Sequence, residues 1–178
     1  MCTLPFLQAA ENLISGEVTE PWLLSSNRKS VGDTQRFAKE NGNEMVRSYT
    51  TVVQLDMLVF FHKWDEAKRL LIECGDLRPI VIGLFHVVRF TFQEALISLK
   101  LAQIESGWSA RHKWKIRARK VMKLMKGWLK KGNVNCLHMY HLLVAEHSIL
   151  CGKTKQAEES FKLVKSCFTL LLFLDYVL

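Results

Sequence analysis

The sequence predicts an all-α protein, organised as a stack of helical hairpins in the manner of an α-solenoid fragment. Three observations point there. Apolar residues recur at spacings of three and four in one segment after another, which is the period of a helix face. Neither the period-2 alternation of half-buried strands nor a strand–helix–strand rhythm is present. From Asn133 to Cys167, two amphipathic stretches flank Gly152-Lys153, and the second carries Ala157 and Phe161. A small residue at Ala157 lets two helix backbones approach closely, and Phe161 one turn later fills the space beside the contact.

Composition sets the frame. A chain of 178 residues can bury a sizeable core in one domain. With 49% apolar residues, three prolines and nine glycines, it reads as folded and globular. The N-terminus has no Lys/Arg-flanked apolar leader. The longest interior apolar run, Pro79 to Val88, contains Gly83 and His86. It falls well short of the roughly 20 residues of a spanning helix. A soluble, cytoplasmic protein without a membrane span is the expectation. The cysteines Cys2, Cys74, Cys136, Cys151 and Cys167 are odd in number, widely spaced and without a Cys-x-x-Cys pair. That is the habit of reduced, packed thiols and not of a secreted disulfide framework.

Taken in order, residues 1–15 suggest a short amphipathic helix with Phe6, Leu7, Ala10, Leu13 and Ile14 on one face. From Gly16 to Gly42 the signals turn to Gly, Ser, Asn, Pro and charge, the mark of a long connecting loop anchored by Trp22. A loop of that length is unusual in a compact domain, so a short helix over Thr34–Glu40 is the alternative. Residues 1–42 are assigned to this N-terminal helix and loop, and residues 43–168 to a helical-repeat domain.

Within that domain, Val46, Tyr49, Val53, Met57 and Phe60 define a helix over Asn43–Phe61. A tight break follows at His62-Lys63. Asp65-Glu66 then places negative charge on the first turn of a second helix, where it complements the helix dipole. This helix buries Ala67, Leu70, Leu71 and Cys74 and ends at Gly75. Trp64-Asp65-Glu66-Ala67 occupies the place that Lys155-Gln156-Ala157 takes in the last hairpin. Arg78-Pro79 suits the start of the next helix, with Leu84, Val88, Phe92, Ala95, Leu99 and Ala102 as its stripe; Ile80-Val81-Ile82 as a strand is the alternative. Gly107 interrupts the pattern, Ser109 can cap the following helix, and Gly132 can close it in a left-handed cap. Leu137, Tyr140 and Val144 form one stripe of the next helix. Leu142, Leu143 and Ile149 spread around it, as expected of a helix between two neighbours.

Charge is concentrated in one place. Ser106 to Ala145 contains no Asp or Glu and ten of the 25 Lys/Arg, leaving 15 basic against 17 acidic residues elsewhere. The whole net charge of +8 therefore belongs to this segment. Trp114, Ala118, Val121, Met125 and Trp128 make its apolar stripe. Arg111, Lys113, Arg117, Arg119, Lys120, Lys123, Lys126 and Lys130 fan over the remainder as a candidate partner-binding face. A merely solvated outer face is the plainest reading. An acidic protein surface or a neighbouring domain would relieve the repulsion between cations three and four residues apart. A phosphate backbone would do the same with a steep salt dependence, although no base-reading motif accompanies the cations. A tryptophan-bearing basic helix can also meet calmodulin or an anionic membrane surface.

Catalytic constellations are missing. Cys136, His138, His141, His147 and Cys151 include metal-ligating types, but the two cysteines lie roughly 22 Å apart along one helix and the closing pair of a zinc site is absent. There is no nucleophile elbow, Walker loop or dinucleotide fingerprint. Glu94, Glu105, Glu158 and Glu159 read as exposed helix charges. No enzyme, cofactor or metal is expected. Residues 169–178 form an apolar tail that suggests either truncation or a segment folded back on an open end, because a solenoid normally closes with a polar cap.

The segments Phe92-Gln93-Glu94-Ala95-Leu96, Trp114 to Lys120, Trp128 to Asn133 and Gln156 to Phe161 carry a resemblance. They are similar to the tetratricopeptide-like helical region of very large multidomain signalling proteins of unicellular eukaryotes. Those proteins resemble STAND-type predicted ATPases joined to kinase or nucleotide cyclase domains, and Gln8 to Pro21 is similar to the segment that precedes their hairpins. The resemblance implies a right-handed stack of about three hairpins, packed through Ala67, Leu71, Ala157 and Phe161. It also implies a non-catalytic scaffold that docks proteins or domains in a signalling assembly. A nucleic-acid-binding protein using residues 111–131 is the alternative. Ala145 stands at the small helix-A position of the repeat, whereas Ser148 replaces the usual aromatic and no proline closes it. The repeats are degenerate.

Overall fold

The computed structural model describes residue 14, residues 31–80 and residues 85–177, with side chains as far as Cys167. The expected N-terminal helix, the Trp22 anchor, the Ile80–Ile82 strand alternative and the side chains of the apolar tail fall wholly or mostly outside those residues. Among the described residues the fold is all-α. Seven helices follow one another: α1 Val31–Glu40, α2 Glu44–Phe60, α3 Trp64–Cys74, α4 Phe85–Ile104, α5 Trp108–Lys130, α6 Leu137–Leu150 and α7 Thr154–Val177. A 3₁₀ turn at Val134–Cys136 leads into α6. The chain divides into two compact units, Met1–Gln93 and Glu94–Leu178, so the boundary falls inside α4. The span 43–168 is thereby shared between both.

The connections explain why these helices stop where they do. Between α1 and α2, the Asn43 N–H donates to the Ala38 carbonyl at 2.7 Å and the Gly42 N–H to Lys39 at 3.2 Å. The same pair of bonds recurs as Lys63→Leu58 with His62→Val59, as Asn133→Trp128 with Gly132→Leu129, and as Lys153→Ser148 with Gly152→Ile149. This is the Schellman closure of a helix, which needs one left-handed residue. Gly42, Gly132 and Gly152 supply it at φ of 62°, 88° and 72°, and His62 does so at 58° without a glycine's freedom. The turns fall twenty residues apart in each unit, at positions 42 and 62 and again at 132 and 152. Counted from these turns, Ala67 and Ala157 are equivalent positions on α3 and α7.

In the first unit, α1 and α3 both pack on α2. The side chain of Asn43 caps α2 by accepting from the Val46 N–H at 3.1 Å. Tyr49 and Met57 pack around Val53 as their spacing predicts. Phe60, assigned to the same stripe, is 64% exposed instead. The burial of α2 is broader than one stripe and includes Ser48, Thr50 and Thr51 beside Val52, Leu55 and Leu58. Two of these hydroxyls bond within their own helix, Thr50 donating to Val46 and Thr51 to Arg47 at 2.8 and 2.9 Å, whereas the buried Ser48 hydroxyl has no hydrogen-bond partner among the described residues. Ala67 and Leu71 on α3 are fully buried.

Arg78-Pro79, expected to open the next helix, lies in a turn, and α4 is described from Phe85 onward. Arg78 is held in a turn instead: the Asp76 carboxylate accepts its N–H at 3.1 Å, and Ile80 donates to Leu77 at 3.0 Å. A residue preceding proline is also disfavoured in helical conformation. In the same unit, Asp56 on α2 is nearly buried and is held by Arg89 and Gln93 from α4. Burial pushes its carboxyl above the usual carboxylate range against the pull of Arg89 and Gln93.

In the second unit, α6 packs on both α7 and α5. Leu143, Ala145 and Ser148 are the buried residues of α6, with Leu143 on the opposite side from Ala145, while Ile149 is exposed. Ala157 and Ser160 are buried on α7; Phe161, expected to fill the seam, is only half-buried. α7 continues as one helix to Val177.

Candidate docking surface

α5 carries the basic segment. Gly107, not Ser109, is its N-cap, in extended conformation at φ −87° and ψ 129°. Ser109 lies within the first turn. Ala118, Val121, Met122 and Met125 are the buried residues of the helix, with Trp114 and Trp128 half-buried beside them. That seam matches the predicted stripe. It leaves an arc of roughly 160° facing outward at 100° per residue.

The eight candidate partner residues do not share one environment. Lys113, Lys120, Lys123, Lys126 and Lys130 are exposed on the outward arc, and among the described residues none is in a salt bridge. Their span from Lys113 to Lys130 is about 25 Å at the helical rise. Ile116 and Leu124 lie between them, 51% and 38% exposed.

The three arginines are engaged within the fold. Arg117 donates through Nε to Glu94 Oε1 at 2.8 Å, and its guanidinium lies 5.5 Å from the Trp114 ring centroid. Glu94 was expected on the surface, yet its side chain is only 5% exposed. Tertiary packing buries it because Arg117 supplies the compensating charge. Arg117 therefore serves as a structural cation within the fold. Arg111 donates through Nε to the Ala102 carbonyl at 3.2 Å, and Arg119 to His147 Nε2 at 3.3 Å.

Acidic residues of the last hairpin do not cover the lysines. Glu146 pairs with Lys100 on α4 at 3.1 Å, and Glu158 and Glu159 are exposed. His147 also lies 3.7 Å from the Cys151 sulfur. Burial, reinforced by Arg119, Lys115 and Lys153, holds the His147 imidazole below its usual pKa. Burial alone does the same for His138 and His141 and raises the Cys136 thiol. The Cys136 Sγ donates to the Asn133 carbonyl at 3.1 Å. Among the described residues, no group of three or more His, Cys, Asp or Glu is arranged to hold a metal ion.

Residues missed by sequence reasoning include two set by partners distant in sequence, Glu94 and the Lys100–Glu146 pair, and one set locally, the exposed Trp108 stacked on His112 with centroids 5.2 Å apart. Trp108 and His112 at i, i+4 are the one signal that was open to view. Among the described residues, no helix is long and apolar enough to cross a membrane. Compared with protein-family models, curated proteins and solved structures, the chain matches none.

Proposed function

We propose that this protein is a non-catalytic helical-repeat docking module whose α5 binds an acidic protein surface, supplied by a partner or a neighbouring domain. The observation that carries the reading is the outward arc of α5. Its five lysines have no salt bridge among the described residues, and two aliphatic side chains stand among them. A cation row held without acidic relief costs stability through mutual repulsion. An acidic partner removes that repulsion and speeds encounter. Ile116 and Leu124 favour a protein over a phosphate backbone, because aliphatic side chains gain from burial against another apolar surface and gain nothing against phosphate. The recurrence of one turn geometry at matched spacing supports a repeat architecture of the tetratricopeptide-like kind. That likeness also underlies the proposed place in a signalling assembly.

Nucleic acid is a second reading, favoured by the exposed Trp108 at the N-terminal end of the basic row. Binding of a labelled acidic amphipathic peptide and of single- and double-stranded oligonucleotides, each at two salt concentrations, separates the two. The docking reading expects peptide capture that is lost in the triple reversal Lys120→Glu, Lys123→Glu and Lys126→Glu, with helicity retained, and weakened in Ile116→Ser/Leu124→Ser. Capture that survives the triple reversal refutes it. Salt-sensitive oligonucleotide binding indifferent to the Ile116 and Leu124 changes selects the second reading.

A further inference from the structure

A cavity of about 240 Å³ opens in the second unit, lined by Ala102, Trp108, Arg111, His112, Lys115 and Leu150. It brings together the end of α4, the first two turns of α5 and the end of α6. Its chemistry is two-sided. Ala102 and Leu150 supply apolar surface, while Arg111 and Lys115 stand one helical turn apart on α5. Among the described residues no carboxylate lines the cavity and neither cation is in a salt bridge. Arg119 and Lys153 add positive potential nearby, since both act on His147 together with Lys115.

We infer that this cleft binds a nucleoside phosphate, with the phosphate between Arg111 and Lys115 and the base stacked on Trp108. Four features of the site support this. The Nε of Arg111 is anchored on the Ala102 carbonyl at 3.2 Å. The guanidinium is thereby oriented while its terminal N–H groups remain available for paired bonds to phosphate oxygens. Lys115 is half-buried, where a cation is less screened than on an open surface. Trp108 is 78% exposed. One side of its indole is held by His112 at an interplanar angle of 9°, so the ring is braced and its other side is free to stack. The cavity is smaller than the roughly 300–1,000 Å³ of sites that enclose a drug-sized ligand. It suits a phosphate inside and a ring on the exposed indole outside. The cleft uses none of the five lysines of the docking arc, so the two proposals stand or fall separately.

The test is calorimetric titration of the full chain with ADP, adenosine, pyrophosphate and a phosphotyrosine peptide, with helicity followed by circular dichroism. ADP is expected to bind with one-to-one stoichiometry and more tightly than adenosine or pyrophosphate. Trp108→Ala should weaken ADP about tenfold and leave pyrophosphate unchanged, as loss of base stacking requires. Lys115→Gln and Arg111→Gln should weaken both ligands at least tenfold while leaving helicity and acidic-peptide capture intact. The inference is overturned if ADP shows no saturable binding at millimolar concentration, or if these variants bind it as the parent does. It is equally overturned if pyrophosphate binds as well as ADP, or if the phosphotyrosine peptide binds more tightly.

Discussion

The Glu94–Arg117 pair makes an asymmetric prediction, because its two ends are buried to different degrees. The Glu94 side chain is 5% exposed and that of Arg117 is 34% exposed. Arg117→Met removes the cation and strands a carboxylate with almost no access to water. Breaking a buried pair in this sense costs about 3–5 kcal/mol, and the partial exposure of Arg117 argues for about 3. Glu94→Gln keeps the shape and the hydrogen-bonding oxygen and strands only a guanidinium that water can reach. Its cost is about 1 kcal/mol, that of weakening one hydrogen bond. For a chain of this length, the difference in melting temperature is about 6–12 °C for Arg117→Met against about 2–4 °C for Glu94→Gln. Thermal and urea melts followed by circular dichroism at neutral pH measure both.

Equal costs for the two variants would refute the assignment of Glu94 as the buried partner of Arg117.

Other outcomes follow from the same structure. His62 occupies the left-handed position that glycine fills in the other three described Schellman turns. His62→Gly should be neutral or stabilising by up to about 1 kcal/mol, and Gly152→Ala destabilising by about 1 kcal/mol; no atom crowds a Cβ at Gly152, so the cost is conformational. Urea midpoints check the signs. Ala67→Leu inserts bulk at a position with no exposure and should cost about 1–3 kcal/mol by overpacking, whereas the same change at exposed Lys113 should be nearly silent. His86, His138, His141 and His147 all have lowered pKa values, chiefly through burial. The unfolded chain then binds more protons than the native one below about pH 6.5, so the urea midpoint should fall as pH drops through that value. A flat or rising midpoint there would contradict buried neutral imidazoles.

Local chemistry made much of the fold readable. The breaks at His62, Gly132 and Gly152 were visible because a helix closing on a left-handed residue advertises itself over a few positions, whereas the stretch before Gly42 was read first as loop and carries the helix Val31–Glu40. The buried seam of α5 and the burial of Ala67, Leu71 and Ala157 followed from helical spacing alone. Arg78-Pro79 was read as a helix start and is a turn, because proline tolerates a helix's first turn but does not demand one, and Asp76 offered the Arg78 N–H a competing bond. Phe60 and Phe161 belonged to correct periodicities, yet a stripe does not say how far a neighbour extends over its ends.

The sequence by itself determined the helical class, the positions of most turns and the concentration of positive charge between Ser106 and Ala145. All of these are set by residues within one or two turns of each other. Which cations are engaged and which face outward was decided only in three dimensions. Glu94 meets Arg117 across 23 residues and Glu146 meets Lys100 across a longer interval. A carboxylate becomes buried or exposed according to what another helix brings to it, and spacing along one helix does not contain that information.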